Sequence, residues 1–559
     1  MRTQILSVLA AAVSLAFSGP VAAQASTTEA SGSHQLVLIG GELQACSSMA
    51  SDRCDETGWI DTSTMRTDRF LNLTDKYVHP LLHDDLWPAH RREIRDELDA
   101  ALDTIKNRIK EDVLPERVFQ DEFTRRVTKH LYDSLSNREW DMIIDHLEMP
   151  VQPNRRIAVN LEESLNKAAP ALMKAFIAEA QRVSDGKPNV LVVTAAARDS
   201  LNAAGYYTSL LADAGANASW LPIDAAVNAA QRGKRCDELD KLRAEHHNAF
   251  QRARVHGERH NEQVEFCKNP QAGVQMVANA DAIFFADGDQ HRLRSALLNP
   301  LSQPTDLLTA IYQRMLDDEL VVGGENAGAI AMTGRPLITN GTSRMAMKEG
   351  ARSAQPPAPA CNLDETCPRD LNPDSLTYHP LGGLGLFPYA TLDAEFADKG
   401  RHARLMRLTA ATQTQLGVGI DDETLLLVDV LNNKFKVKGK RGVSFIVGAQ
   451  DAATAAASTF HYVTDGAYGD ISDQDITNVT LPTEGGIVTE DPTTRFMGKR
   501  GAIDSLRLIC RERDSFTLVE DAFEMTVLAD EGTIRQSAGG ECQVLNARMG
   551  VAWKPAQNM

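Results

Sequence analysis

The run Val321-Val322-Gly323-Gly324-Glu325-Asn326-Ala327-Gly328-Ala329 passes from β-branched residues through glycines into small, helix-compatible ones. This is the build of a nucleophile elbow, a sharp strand-to-helix turn that exposes one side chain at positive φ with a helix N-terminus behind it. By position that residue is Asn326, whose amide cannot attack a carbonyl as Ser or Cys does. Asn tolerates positive φ better than most residues, so the turn survives the exchange. Read without chemistry, the same run is a glycine-rich turn and nothing more.

Three further segments gain meaning if they converge on the elbow. Ala286-Asp287-Gly288-Asp289-Gln290 follows the apolar run Ala282-Ile283-Phe284-Phe285 and offers free backbone N–H groups as a cradle for an oxyanion or carboxylate. Gly383-Leu384-Gly385-Leu386-Phe387 leads to Asp393-Ala394-Glu395-Phe396 and then to Arg401-His402-Ala403-Arg404-Leu405. Gly417-Val418-Gly419-Ile420-Asp421-Asp422-Glu423-Thr424 is an acidic turn opening a strand.

The elements that must position these residues are read from continuous apolar runs at Leu36–Ile39, Val190–Val193, Ala282–Phe285, Leu320–Val322 and Leu425–Val428. Unbroken runs point to strands covered on both faces, and helical patterns such as Ser200 to Ala214 and Pro304 to Leu316 lie between several of them. The expectation is an α/β fold with an open, mostly parallel sheet whose ligands bind beyond the carboxyl ends of the strands. The α/β domain is expected over 34–457, interrupted by a helical insertion over about 42–187. Within that insertion Ile94, Leu98, Leu102, Ile105, Ile109 and Val113 form one apolar stripe, and Phe119, Phe123, Val127, Leu131 and Leu135 a second. A second, polar insertion is expected over about 226–271, where His256 and His260 read as a solvated helix face. Residues 350–375 read as a surface loop. Over 458–559 the pattern alternates, as in Phe523 to Leu528, and implies a small β-rich C-terminal region.

Residues 1–25 have a positive start at Arg2, an apolar stretch from Ile5 to Phe17 and a small-residue cleavage site, the pattern of a signal peptide. No later stretch is apolar enough to span a membrane, so an exported chain, periplasmic or secreted, is expected. Eight cysteines fall into neighbouring pairs: Cys46 with Cys54, Cys236 with Cys267, Cys361 with Cys367, and Cys510 with Cys542. Four local disulfides are the expectation, although eight cysteines allow 105 connectivities. No Cys-x-x-Cys spacing occurs, Pro80 interrupts the His79 and His83 pair, and neither a metal nor a cofactor is expected. The net charge of -18 argues against nucleic acid or an anionic membrane surface as partner and is compatible with a cationic ligand.

Taken together, Ile39-Gly40-Gly41, Asp287-Gly288-Asp289-Gln290, Gly324 to Ala329, Gly383 to Leu386, Asp393 to Phe396, Arg401 to Leu405 and Gly417 to Thr424 resemble, in order, the motifs of the cyanophycinases. These are serine exopeptidases of flavodoxin-like fold, related to the class I glutamine amidotransferases. The resemblance covers Leu36 to Gly41 and most of Val190 to about Asp451. It departs where the chemistry should be, because Asn326 stands at the family's serine and Glu395 at its catalytic histidine. In the family the serine attacks the peptide carbonyl while the histidine takes and returns its proton. The resemblance implies substrate contacts at Asp289 and Gln290 and a backbone cradle near Gly288 and Ala327. Glu325 and Arg401 complete the expected pocket, whose acidic residues favour a guanidinium or ammonium group.

The implied function is that of an exported homologue without serine catalysis, holding peptides or amino acids containing aspartate and arginine. A homodimer is kept open. Two alternatives stand beside it. One is an active hydrolase, with Glu395 activating water or with Ser343 as a displaced nucleophile. The other is an interaction protein that uses the helical insertion.

Overall fold

The computed structural model describes residues 32–127, 129–483 and 494–555. The expected signal peptide, residues 1–25, lies outside them.

Leu36 and Leu38 point into one apolar layer and Val37 and Ile39 into another, so the first strand, Leu36–Ile39, is buried on both faces. It sits within a nine-stranded sheet. On one side follow Val321–Glu325, Ala282–Phe285, Asn189–Val193 and Asn217–Trp220, all parallel to it. On the other side Thr424–Asp429, Lys434–Gly439, Tyr468–Ile471 and Ile476–Thr480 are added, each antiparallel to its neighbour. The apolar run Leu425 to Val428 is therefore a buried strand, but an antiparallel one. Burial on both faces produces the same unbroken run in either direction, which is why its direction was not legible. The helices Ala168–Arg182 and Ser200–Asp213 cover one face, while Asp306–Leu316 and the segment after Asp289 cover the other.

The helical insertion has a core of its own. Leu98, Leu102, Ile105, Phe119, Phe123 and Leu131 meet there, as the two stripes require, with Val113 left exposed on a short strand, Val113–Pro115. The helix Ala168–Arg182, expected inside the insertion, instead packs Phe176 against Phe284 of the central sheet. The insertion is fastened to the sheet by Arg252, fully buried, which reaches Asp145 and Glu148 of the insertion and Asp199 at the start of a sheet-covering helix.

The region over 226–271 is less peripheral than its polarity suggests. Ala226, Val227, Leu239, Leu242 and Phe266 join the main core. His256 is buried beside Asp199, and His260 meets the guanidinium of Arg243, so this pair is no solvated face. One-residue polarity misled here because buried charges pair with each other.

A second, eight-stranded sheet runs from Thr391–Asp393 through Leu416–Ile420, Gly442–Ala452 and Ala455–Thr464 into Glu541–Trp553 and its neighbours. The boundary expected at 457/458 thus falls inside the strand Ala455–Thr464, and the C-terminal strands extend a sheet begun by the α/β region. Disulfides join Cys46 to Cys54, Cys236 to Cys267, Cys361 to Cys367 and Cys510 to Cys542, consistent with an oxidising compartment. No helix among the described residues is long and apolar enough to cross a membrane.

Candidate functional site

The strand Val321–Glu325 breaks at Asn326, with φ 44° and ψ -106°, and the helix Ala327–Ile330 begins at once. That conformation is strained for a residue with a Cβ. The turn is tight because a Cβ at Gly328 would lie 2.2 Å from the carbonyl oxygen of Phe285. Glu395 also has positive φ, 45°, two residues beyond the strand Thr391–Asp393. The Asn326 N–H donates to the Ile39 carbonyl, and the Glu395 N–H to that of Gly40. Two distant segments are therefore anchored to consecutive residues at the carboxyl end of one strand. The following turn needs glycine, since a Cβ at Gly40 would sit 2.1 Å from the Asp421 carbonyl and one at Gly41 2.2 Å from the Asp422 carboxylate.

The two N–H groups expected to form a cradle, those of Gly288 and Ala327, both donate to a carboxylate of the chain itself. The Asp287 carboxylate accepts from the Gly288 N–H at 2.6 Å and, through the same Oδ1, from the Ala327 N–H at 3.2 Å. Sequence reasoning gives Asp287 no role beyond its place in that loop. An anion at this place repels any second negative charge developing there.

Burial raises the Asp287 carboxyl to about 6 against the pull of those two N–H groups, and Glu42 adds repulsion. Glu325, fully enclosed behind the elbow, is pushed up to about 8, first by burial and then by the Asp287 charge, although the Leu43 N–H donates to its Oε1. On the other side of Gly40 and Gly41, Asp422 is raised to about 7 by burial and by the charges of Asp398 and Glu395. The Asp422 Oδ1 is buried with no partner. Glu42 and Asp398 were missed because each belongs to a loop with no chemical motif of its own, while Asp422 stands in the acidic turn Gly417 to Thr424 without an assigned role.

Glu395 is paired with an arginine. Its Oε2 accepts from Arg401 at 3.1 Å, and Arg401 also meets Asp393. Arg401 is thus an internal counter-ion. Gln290 donates its amide to the Ile338 carbonyl at 2.8 Å, and the Asp289 carboxylate caps its own helix through the His291 N–H. Both side chains are engaged by the scaffold and remain partly exposed. Ser343 is buried, donates to the Gly400 carbonyl and accepts from the Arg404 N–H. Among the described residues no group of three or more His, Cys, Asp or Glu side chains is arranged to hold a metal ion.

No family model matches the chain. It is similar to curated cyanophycinases of Trichormus variabilis and of a Nostoc species, 28% identical in each case over 218 residues, covering 37% of this chain and 61% of theirs. The cyanophycinase of Geminocystis herdmanii is 28% identical over 174 residues, 31% of this chain and 52% of that protein. The chain thus spans less than two thirds of the length of the curated relatives it matches. Among solved structures, a peptidase from an acI-B1 Actinobacterium aligns at 17% identity and a TM-score of 0.31, covering 54% of this chain and 91% of that one.

Proposed function

We propose that this is an exported homologue of the cyanophycinases, of class I glutamine amidotransferase-like fold, that has lost serine catalysis and keeps a pocket for cationic peptides or amino acids. The observation that carries this reading is Asp287. Besides the missing nucleophile and base, an anion occupies the two N–H groups that such a peptidase needs for its oxyanion. Glu395, tied to Arg401, replaces a proton shuttle with an ion pair.

The ligand charge follows from the same residues. Asp287 and Asp422, with Glu42 and Asp398 beside them, make an acidic rim in which burial and neighbouring charges raise the Asp287 and Asp422 carboxyls, and the enclosed Glu325 behind it is raised as well. A guanidinium entering the rim favours the carboxylates over the acids and displaces their protons. The substrate of the resembled enzymes makes an arginine side chain the natural probe, by analogy of fold.

Titration calorimetry of β-aspartyl-arginine against the full chain tests this. Affinity is expected to rise about tenfold or more from pH 5.5 to pH 8, with proton release, and to fall on Asp287→Asn. Absence of binding across that range, or binding that weakens as pH rises, would overturn the reading.

A further inference from the structure

A cleft of 670 Å³ opens between the insertion and the sheet-covering helix Ser200–Asp213. It is separate from the elbow. The Tyr207 hydroxyl on one face of that helix accepts from the Asp287 N–H, while Asn202, Gly205 and Ser209 on another face line the cleft.

Five arginines line it, Arg66, Arg155, Arg156, Arg254 and Arg259, against one carboxylate, Glu258. In a chain of net charge -18 this is a local reversal of sign. Carboxylates deeper in the wall offset this charge only in part. Glu148 and Asp199 are engaged by the buried Arg252 at 2.9 and 2.6 Å, and Asp199 also faces His256.

Neutral groups hold several of the guanidiniums in place, while Glu262 and Asp199 pull on Arg259 from beside the cleft. Arg66 donates to the Asn202 side-chain carbonyl at 3.0 Å, with Glu148 only at 4.0 Å. Arg254 donates to the Asp145 and His146 carbonyls and stacks on Tyr77 at 4.9 Å. Arg259 lies over the Trp220 ring at 5.6 Å. The Arg155 Nε is buried with no partner. Burial lowers the Arg66 guanidinium, and Arg69 and Arg259 repel it against the pull of Glu148 and Asp199.

We infer that this cleft is a binding site for a small organic oligoanion, a molecule with two or more carboxylate or phosphate groups on a carbon or phosphorus skeleton. Guanidinium forks suit both groups bidentately, and Ile157 and Leu201 give the walls apolar area for a skeleton. The volume is that of an ordinary small-molecule site.

Calorimetry on the full chain with citrate, tri-aspartate and pyrophosphate, each against sodium chloride of matched ionic strength, tests the inference. Saturable binding of at least one probe is expected. A tenfold preference for the carboxylates or for pyrophosphate then assigns the anion class. Arg155→Gln with Arg259→Gln is expected to weaken that binding at least tenfold, whereas Lys241→Gln, a substitution on an exposed helix face, leaves it unchanged. Without ligand, the double variant is expected to melt no lower than the parent, because like charges have been removed. Should the double variant not fold, the exposed Arg156→Gln serves in its place, with at least a threefold loss expected. No saturable binding by any probe, or affinity unchanged in the arginine variants, would overturn the inference.

Discussion

Glu325→Gln isolates the electrostatic cost of the elbow. The side chain is 3% exposed and its carboxyl is lifted from an ordinary 4.5 to about 8. The sign is opposite to that of a paired carboxylate. Between those two pH values the folded chain holds a proton that the unfolded chain has lost, so stability falls as pH rises through the window and levels off above pH 8. At about 1.4 kcal/mol for each pH unit in the interval, carrying Glu325 as an anion costs up to about 5 kcal/mol. Glutamine keeps an acceptor for the Leu43 N–H and removes the titration. Urea unfolding of both proteins from pH 5 to pH 8.5, with disulfides intact, gives the difference directly. Comparison with the parent cancels Asp422, which titrates in the same range, while the repulsion between Asp287 and Glu325 is part of the difference measured. The variant should gain roughly 3–5 kcal/mol relative to the parent between the two extremes. A difference that stays constant with pH would refute the enclosure of this carboxyl.

Two further outcomes are expected. Arg252→Met leaves Asp145, Glu148 and Asp199 buried without their shared counter-ion and should destabilise the chain by about 3–5 kcal/mol in urea unfolding; a loss below about 1 kcal/mol would contradict the fastening role given to Arg252. In an elbow rebuilt with Asn326→Ser and Glu395→His, adding Asp287→Gly should raise peptidase turnover at least about a hundredfold, the worth of one oxyanion donor; equal rates would contradict the blocked cradle.

Much of this architecture was legible in particular residues. The elbow followed from glycines and alanines flanking Asn326, because few other conformations suit that run after a buried strand. The helical insertion followed from two stripes that meet in one core. The antiparallel direction of Thr424–Asp429 was hidden, since a strand buried on both faces carries no mark of its neighbours' direction. The edge strand Asn217–Trp220 was missed because its polar residues Asn217 and Ser219 are exposed and break any apolar run. At the site, the convergence of Asn326 and Glu395 depends on hydrogen bonds to Ile39 and Gly40 that no local pattern announces. The filling of the cradle depends on the direction taken by the Asp287 side chain, which no spacing announces. The arginine cleft was not, because Arg66, Arg155 and Arg259 are scattered and only the fold gathers them.

The central claim is that the peptidase scaffold persists without its chemistry. The most direct measurement is release of free amino groups from cyanophycin, β-aspartyl-arginine and isoaspartyl dipeptides by the mature protein, by Asn326→Ala and by Glu395→Gln. The account predicts no release above the rate without protein from any of the three. Turnover by the parent that disappears in either variant would contradict it.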